Sequence, residues 1–281
     1  MRRKNRDHIR FINPPGMPYV QAVYGVNVAN EFRRHIHEGF CVGIVEKGAR
    51  AISCGGATTI IPEEGLFVIN PGESHACKSL VEGDSYFIVC VEAAYMAAIA
   101  AQISEQAPIV PHFKDVLLHD EKLAVEIRRF FALVEQTSSS LERESVLYSF
   151  LSTLIMQYGD APPIPCRMGS HARAMKRVCE FIRMNYSQDL SLKQLSRAAC
   201  LSPYYFQRLF LENTGISPHD YLVQVRIKKA RELLSAGHSI AGVALETGFV
   251  DQSHFTRCFK GSTGITPGSY IRLKSLRSQT G

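Results

Sequence analysis

Phe206–Tyr221 reads FQRLFLENTGISPHDY, and Phe255–Tyr270 reads FTRCFKGSTGITPGSY. Phe, Arg, Phe, Thr, Gly, Ile, Pro and Tyr recur in the same order at an offset of 49 residues. An internal repeat of this kind usually marks a repeated structural unit. Two copies are too few for a solenoid, which needs about three or more repeats to bury a core. The repeat therefore predicts two similar units placed side by side.

Each copy of the repeat carries the start and stop signals of helices. In the first copy, Ser191 predicts the N-cap of a short helix, and Ser202-Pro203 predicts a second N-cap followed by proline at the first helical position. Gly215 is the expected end of this second helix. The matching residues of the second copy are Ser239, Asp251 and Gly264. Helix, short turn and helix form the helix-turn-helix arrangement, whose second helix enters the major groove of DNA.

The two parts of the chain differ in charge. Residues 171–281 carry 16 Lys and Arg against 7 Asp and Glu, whereas residues 1–170 carry 16 against 19. A basic part joined to a mildly acidic one is typical of a nucleic-acid-binding head with a different kind of partner domain. Charge alone is weak support, but here the basic part coincides with the repeat.

The apolar residues of the second helix of each copy lie on one side of the helix. A few side chains near the start of each helix therefore face outward. These candidate DNA readers are Tyr204, Gln207 and Arg208 in the first copy, and Ser253, His254 and Arg257 in the second. Arginine matches the two acceptors of guanine, and glutamine matches the donor and acceptor edge of adenine. A lone surface arginine is more often solvated or in a structural ion pair. Here the same arginine recurs in both copies, which favours DNA contact.

Between Tyr19 and Val91 the sequence consists of short apolar or alternating runs separated by Gly and Pro. The predicted strands are Gln21–Val28, Phe40–Val45, Ala51–Cys54, Thr58–Ile61, Leu66–Ile69 and Tyr86–Val91. This pattern predicts an antiparallel sandwich or barrel. Two stretches of helical periodicity follow, over about 116–134 and 146–158. Their apolar faces fit packing on the sheet, and a dimer contact is the alternative.

Length and composition limit the class of protein. A chain of 281 residues suggests about two domains. Its 46% apolar and 21% charged residues are ordinary for a globular protein. No apolar run approaches the ~18 residues of a membrane span, and the charged start Met1–Arg10 does not resemble a signal peptide. We therefore expect a cytoplasmic protein with no membrane partner.

Residues of about 171–274 resemble the DNA-binding domain of AraC/XylS-type bacterial transcription regulators. The resemblance is carried by the two F-x-R-x-F segments, the two T-G-I-[ST]-P-x-x-Y tails and Ile240-Ala241-Gly242-Val243-Ala244 with Thr247-Gly248-Phe249. It implies that both recognition helices enter successive major grooves on one face of DNA, about one helical turn (~34 Å) apart. It further implies a homodimer, a promoter site and action with RNA polymerase, as an activator or a repressor. The implied function is regulation, not catalysis.

Residues of about 19–95 resemble the small jelly-roll, cupin-like ligand-binding domain that often precedes such heads. The carriers are His35-Ile36-His37 and the segment Gly65–His75, which contains Pro71-Gly72-Glu73-Ser74-His75. The resemblance implies a small organic effector in the barrel, with His35, His37, Glu73 and His75 as candidate contacts. We expect no cofactor and no metal.

Two alternatives remain at this stage. In cupin enzymes H-x-H and a later histidine hold a metal, so a metal-binding cupin sensor or enzyme fused to a DNA-binding domain is chemically conceivable. The sequence offers no clear carboxylate ligand for such a metal, because Glu38 follows the H-x-H motif too closely and Glu46 lies too far after it. Similar heads also occur on DNA-repair domains that use a zinc-held cysteine, but none of the eight cysteines forms a C-x-x-C pair.

The expected fold is thus α+β with two domains. Residues 1–158 form the jelly-roll barrel with trailing helices that bind the effector and dimerise the protein. Residues 159–170, rich in Gly and Pro, form a linker. Residues 171–281 form an all-α domain with two helix-turn-helix motifs.

Overall fold

The computed structural model describes residues 8–104, 107–162 and 172–278, without the side chains of residues 172 and 273–278. The chain divides into two compact units, one of Met1–Val134 with Val146–Cys166 and the other of Glu135–Ser145 with Arg167–Gly281. This division differs from the predicted domains in grouping Glu135–Ser145 with the C-terminal part. Most of the predicted linker lies outside the described residues.

The first unit contains ten strands in two antiparallel sheets. They are β1 (His8–Ile12), β2 (Val20–Val28), β3 (Phe32–His35), β4 (Phe40–Lys47), β5 (Arg50–Cys54), β6 (Ala57–Ile61), β7 (Leu66–Ile69), β8 (His75–Ser79), β9 (Asp84–Val91) and β10 (Leu117–Leu118). The larger sheet has the order β1-β2-β9-β4-β7-β10, and the smaller has the order β3-β8-β5-β6. The predicted antiparallel fold is confirmed.

The apolar core of the first unit draws on both sheets. Its members come from β4 to β8 and are Cys41, Val45, Ile52, Ile61, Phe67, Ile69 and Cys77. Successive side chains of a strand point to opposite faces, so residues two or four apart, such as Cys41 and Val45 or Phe67 and Ile69, share the face that lines this core.

A buried ion pair also links the two sheets. Arg50, the first residue of β5, donates from Nε and Nη2 to the two carboxylate oxygens of Asp84, the first residue of β9, at 2.7 Å each. The exposed fractions are 2% for Arg50 and 0% for Asp84. The guanidinium carbon lies 4.0 Å from the centre of the Tyr86 ring. The bidentate geometry satisfies both charged groups away from water.

All six predicted strands are present, but β1, β3, β8 and the two-residue β10 were not predicted. The sequences of β1, β3 and β8, which are HIRFI, FRRH and HACKS, are only four or five residues long, and each contains charged or polar residues. They form because neighbouring strands supply the hydrogen bonds: β1 pairs with β2, and β3 pairs with β8. Tertiary pairing here outweighs the local pattern.

Three helices belong wholly or partly to the first unit: α1 (Ala93–Ser104), α2 (Glu121–Glu135) and α3 (Ser140–Tyr158). The helix predicted from residue 116 begins later, because Leu117 and Leu118 pair with β7 instead. The Asp120 side chain then accepts from the backbone N–H of Lys122 and Leu123 and starts α2. Phe131 of α2 stacks on Phe87 of β9 with ring centres 4.5 Å apart, so this apolar face packs on the sheet.

The second unit is helical. Besides the start of α3 it contains α4 (Ala172–Asn185), α5 (Leu192–Ala199), α6 (Pro203–Thr214), α7 (Pro218–Ser235), α8 (Ile240–Glu246), α9 (Gln252–Thr263) and α10 (Pro267–Ser278). The pairs α5–α6 and α8–α9 are the two predicted helix-turn-helix motifs, which confirms the two-domain α+β fold. Within the described ranges, no helix combines the length and apolar character that crossing a bilayer demands.

The predicted caps of the two second helices are all found. The Ser202 side chain accepts from the Tyr205 N–H at the start of α6, and Asp251 accepts from the His254 N–H at the start of α9. Gly215 and Gly264 end these helices with φ of 74° and 79°, values that strain any residue with a Cβ. The caps determine which residues begin each helix and therefore which side chains face outward.

We predict that Asp84→Asn lowers the free energy of unfolding by about 3–5 kcal/mol, because it leaves the Arg50 charge buried without its partner. Urea denaturation of the full chain measures this loss. The control is Arg50→Met with Asp84→Leu, which replaces both groups by apolar ones and should recover most of the stability. A double variant as unstable as Asp84→Asn would contradict the explanation.

Candidate nucleic-acid interface and effector site

In the first head, α6 exposes the predicted readers. Phe206 and Phe210 are fully buried, whereas Arg208 is exposed and Tyr204 and Gln207 are half-buried. Arg208 Nε lies 3.3 Å from Glu212 Oε1, one turn further along the helix. A hydrogen bond with Tyr204, followed by Glu212, raises the pKa of the Arg208 guanidinium. An exposed pair of this kind is worth roughly 0–1 kcal/mol, so Arg208 can exchange Glu212 for another acceptor at little cost.

In the second head, α9 presents Ser253 and Arg257 to solvent, but the outward position predicted for His254 is wrong. The His254 side chain is only 1% exposed, and its ring lies edge-on to Phe249 with ring centres 5.5 Å apart. The offset of 49 gives the reason, because it pairs His254 with Tyr205, which is also buried. Both residues occupy the inward side of the first helical turn.

The residue that corresponds to Gln207 is therefore Thr256. Both are half-buried, and both lie between the buried Phe and the exposed Arg of the F-x-R segment. Thr256 was missed, although adding 49 to 207 identifies it. It is the residue on α9 that matches Gln207 in position.

The environment of His254 suits a neutral ring. Burial first, and then the positive charges of Arg257, His219 and Arg226, lower the pKa of His254 to about 4. The ring is therefore uncharged at neutral pH and cannot serve as a cationic DNA contact. It contributes to packing beneath the outward side of α9.

Helix α7 joins the two heads through contacts on both. Arg226, 1% exposed, donates from Nε to the Tyr186 carbonyl at 2.7 Å and from Nη2 to the Gln188 carbonyl at 2.8 Å, just before α5. Burial lowers the pKa of Arg226 to about 10, which still leaves it charged at neutral pH. On the other side, Val223 and Ile227 pack with Phe249, Phe255 and Phe259 of the second head. Helix α7 therefore lies between the two heads as a spacer that contacts both of them.

Two candidate readers already have partners inside the second unit. Gln207 Nε2 donates to the Ser145 carbonyl at 3.2 Å, and Arg257 Nη2 donates to the Thr137 carbonyl at 2.6 Å. Both acceptors lie in the short segment Glu135–Ser145. No feature of the sequence pattern pointed to this segment.

In the first unit, the structure brings His35, His37 and His75 together. One ring nitrogen of each lies within 4.8 Å of the others, and the Nε2 atoms of His35 and His37 are 3.1 Å apart. His35 ends β3 and His75 begins β8, and these two residues are paired in the sheet. Burial, and then the neighbouring rings, lower the pKa of His37, and burial is also the main cause of the lowered pKa of His75.

Two of these imidazoles are oriented by the backbone. His35 Nδ1 lies 2.6 Å from the Arg33 carbonyl, and His75 Nδ1 lies 2.9 Å from the Glu73 carbonyl. A carbonyl oxygen accepts only, so both Nδ1 atoms carry the proton and both Nε2 atoms offer a lone pair. A carbonyl on the outer nitrogen is the usual support of a metal-binding histidine.

The hydrogen bond that Glu73 makes to this cluster is accepted by its backbone carbonyl. Its carboxylate accepts from the Asn70 N–H and side-chain amide at 3.2 and 3.1 Å and from the Cys54 thiol at 3.5 Å. Among the described residues, the group that could surround an ion consists of the three histidines without Glu73. The carboxylate therefore shapes the loop before His75.

Two family models match the chain. A helix-turn-helix domain matches residues 195–273, and an AraC-like ligand binding domain matches residues 23–151. Their boundaries include both second helices and the three histidines.

Among curated relatives, the uncharacterized HTH-type transcriptional regulator YbfI of Bacillus subtilis is 28% identical over 238 residues, which are 84% of this chain and 86% of YbfI. The regulatory protein PocR of Salmonella typhimurium is 36% identical over 101 residues, which are 36% of this chain and 33% of PocR. The chain thus spans most of YbfI and about a third of PocR.

Among solved structures, the C-terminal domain of AraT, a response regulator from Geobacillus stearothermophilus, is 30% identical with a TM-score of 0.36, over 37% of this chain and 88% of that chain. Unsaturated fatty acid bound ToxT from Vibrio cholerae is 14% identical with a TM-score of 0.36, over 96% and 97%. The chain carries an N-terminal AraC-like, cupin-like ligand-binding domain followed by a helix-turn-helix domain. These two domains show that it belongs to the AraC family of helix-turn-helix transcriptional regulators, which is a family of regulators and not of enzymes.

Proposed function

We propose that this regulator reads a two-part promoter site with α6 and α9, under the control of a small ligand bound in the N-terminal sheet domain. The observation that carries the first part is the matched pair of exposed arginines. Arg208 and Arg257 each follow a buried phenylalanine by two residues, and each is the sixth residue of its capped helix. This is where the second helix of a helix-turn-helix motif contacts base edges.

The two helices carry different readers, so one chain would recognise two different half-sites. On α6 the outward set is Tyr204, Gln207 and Arg208, which suits adenine and guanine edges. On α9 the outward set is Ser253, Thr256 and Arg257, in which Thr256 takes the place first given to His254. The methyl group of threonine can contact the methyl group of thymine, and the threonine hydroxyl can accept or donate a hydrogen bond. The site would be asymmetric instead of palindromic.

We predict that Arg208→Ala and Arg257→Ala each weaken binding to the specific site by about 1–3 kcal/mol and relax preference at one base pair. The measurement is fluorescence anisotropy with a duplex selected from a random pool by the full chain. Lys122→Ala is the control, since it removes one positive charge from an exposed position of α2 in the first unit. If both arginine variants bind the duplex as the control does, the recognition-helix assignment is wrong.

For the ligand, the first candidate is a small organic effector contacted by His35, His37 and His75. Neutral imidazoles donate and accept hydrogen bonds, and burial, which lowers the pKa of His37 and His75, favours this neutral form. Glu73 supports this site by orienting His75. A ligand regulates only by binding one arrangement of the protein better than another.

The second candidate is a transition-metal ion, and a specific observation favours it. Two nitrogens bound to one tetrahedral ion at ~2.0–2.1 Å lie about 3.3 Å apart, close to the 3.1 Å between the Nε2 atoms of His35 and His37. The backbone carbonyls already hold two of the rings with Nε2 unprotonated. Three imidazoles suit Zn, Fe, Cu or Ni and leave a position open for a further ligand.

One experiment with two arms separates these candidates. The purified full chain is subjected to elemental analysis, and its thermal unfolding is then followed with a metabolite panel and with Zn²⁺, Ni²⁺, Cu²⁺ or Fe²⁺ after chelation. A bound ligand raises the unfolding temperature by mass action. Stabilisation by a metal that His37→Ala abolishes supports the metal ion. Stabilisation by an organic compound, with no stoichiometric metal, supports the organic effector.

The proposal also includes a cytoplasmic homodimer that acts with RNA polymerase. Because the apolar residues Leu147, Phe150 and Leu154 of α3 are fully buried, a dimer through α2 and α3 would use their outer sides. Val125 of α2, 62% exposed, lies on such a side.

A further inference from the structure

The segment Glu135–Ser145, here called the clasp segment, contacts both helix-turn-helix motifs of the second unit. Its contacts with α6 and α9 are the bonds from Gln207 to the Ser145 carbonyl and from Arg257 to the Thr137 carbonyl. These donors are the amide and the guanidinium assigned to reading bases. The side chain of Gln207 cannot satisfy the Ser145 carbonyl and an adenine edge with the same N–H.

The clasp segment is also anchored beside the recognition helices. Ser140 Oγ donates to Asp189 Oδ2 at 2.8 Å, and the Leu192 N–H at the start of α5 donates to Glu144 Oε2 at 2.9 Å. The Thr137 side chain bonds Asp251, the N-cap of α9, and this bond helps to lower the pKa of Asp251 after the larger effect of the His254 N–H. Several independent contacts therefore hold one short segment against both heads.

The charge of the clasp segment fits the basic unit that it touches. It contains Glu135, Glu142 and Glu144 against the single cation Arg143. Glu142 Oε2 lies 3.6 Å from His219 Nε2 and 3.8 Å from His254 Nε2. The Glu144 carboxylate occupies the N-terminus of α5, a position that favours anions. An acidic segment thus lies against the basic helices that carry the proposed DNA readers.

We propose that Glu135–Ser145 is an autoinhibitory clasp, which must release Gln207 and Arg257 before the two recognition helices can read DNA. The clasp rests on the proposed function, since it assumes that these side chains contact bases. Its bonds to Gln207 and Arg257 are individually weak, so release is energetically accessible. Helix α3 begins in the clasp segment at Ser140 and ends at Tyr158, and its residues from Val146 onward belong to the first unit. An effector that prefers the released arrangement would therefore open the clasp.

The first test uses a loosened full-length variant, Thr137→Val with Ser140→Ala and Glu144→Ala, which removes three anchors and leaves every proposed DNA reader in place. The control is Glu180→Ala, which removes one negative charge from an exposed position of α4 in the same unit. Both variants are titrated with the selected duplex at one salt concentration, because loss of an acidic group by itself strengthens DNA binding. We expect the loosened variant to bind about threefold or more tightly than the control.

A second measurement covers the case in which the loosened variant folds poorly. Hydrogen exchange of the wild-type chain, followed by mass spectrometry, should become faster in residues 135–145 when the selected duplex is added. Equal affinity of a folded loosened variant and its control, or unchanged exchange in 135–145 on DNA binding, would overturn the clasp. Both results leave the recognition-helix assignment standing, whereas failure of the wild-type chain to select any duplex would refute the proposed function itself.

Discussion

The helix N-caps of Ser202 and Asp251 are the constraint on which the proposed DNA-reading surface depends. An α-helix turns by about 100° per residue, so a start displaced by one residue would point a different set of side chains outward. Each cap bonds the backbone N–H three residues later and determines the first turn. With the start fixed, Phe206 and Phe255 enter the core, and Arg208 and Arg257 lie on the outside.

The same helical phase explains what the sequence could and could not predict about this surface. The caps, the closing glycines and the two arginines follow from local rules and are all found in the structure. His254 was misplaced because a histidine in a basic helix resembles a polar surface residue, and its burial depends on Phe249 from the preceding turn. The repeat contained the correction, since the offset pairs His254 with the buried Tyr205 and pairs Gln207 with Thr256.

The sensor unit shows a different limit. Strands with long apolar runs, such as β4 and β9, were predicted, whereas β3 and β8 owe their form to pairing with other strands. Those two strands position His35 and His75, so the convergence of the imidazoles could be expected only from the family resemblance. The Arg50–Asp84 pair, which joins the sheets, was not predicted, because charged residues give no periodic signal of burial. The contacts of the clasp segment were not predicted either, because its polar sequence resembles that of an ordinary loop between two helices.

The central claim is that one chain reads two different half-sites on one face of DNA. Hydroxyl-radical footprinting of the full chain on its selected duplex tests this most directly. For each bound chain we predict two protected patches on the same face, about one helical turn (~34 Å) apart and unlike in sequence, with Thr256→Ala altering base preference in only one of them. A single protected patch, or two patches of identical inverted sequence bound by one chain, would contradict the account.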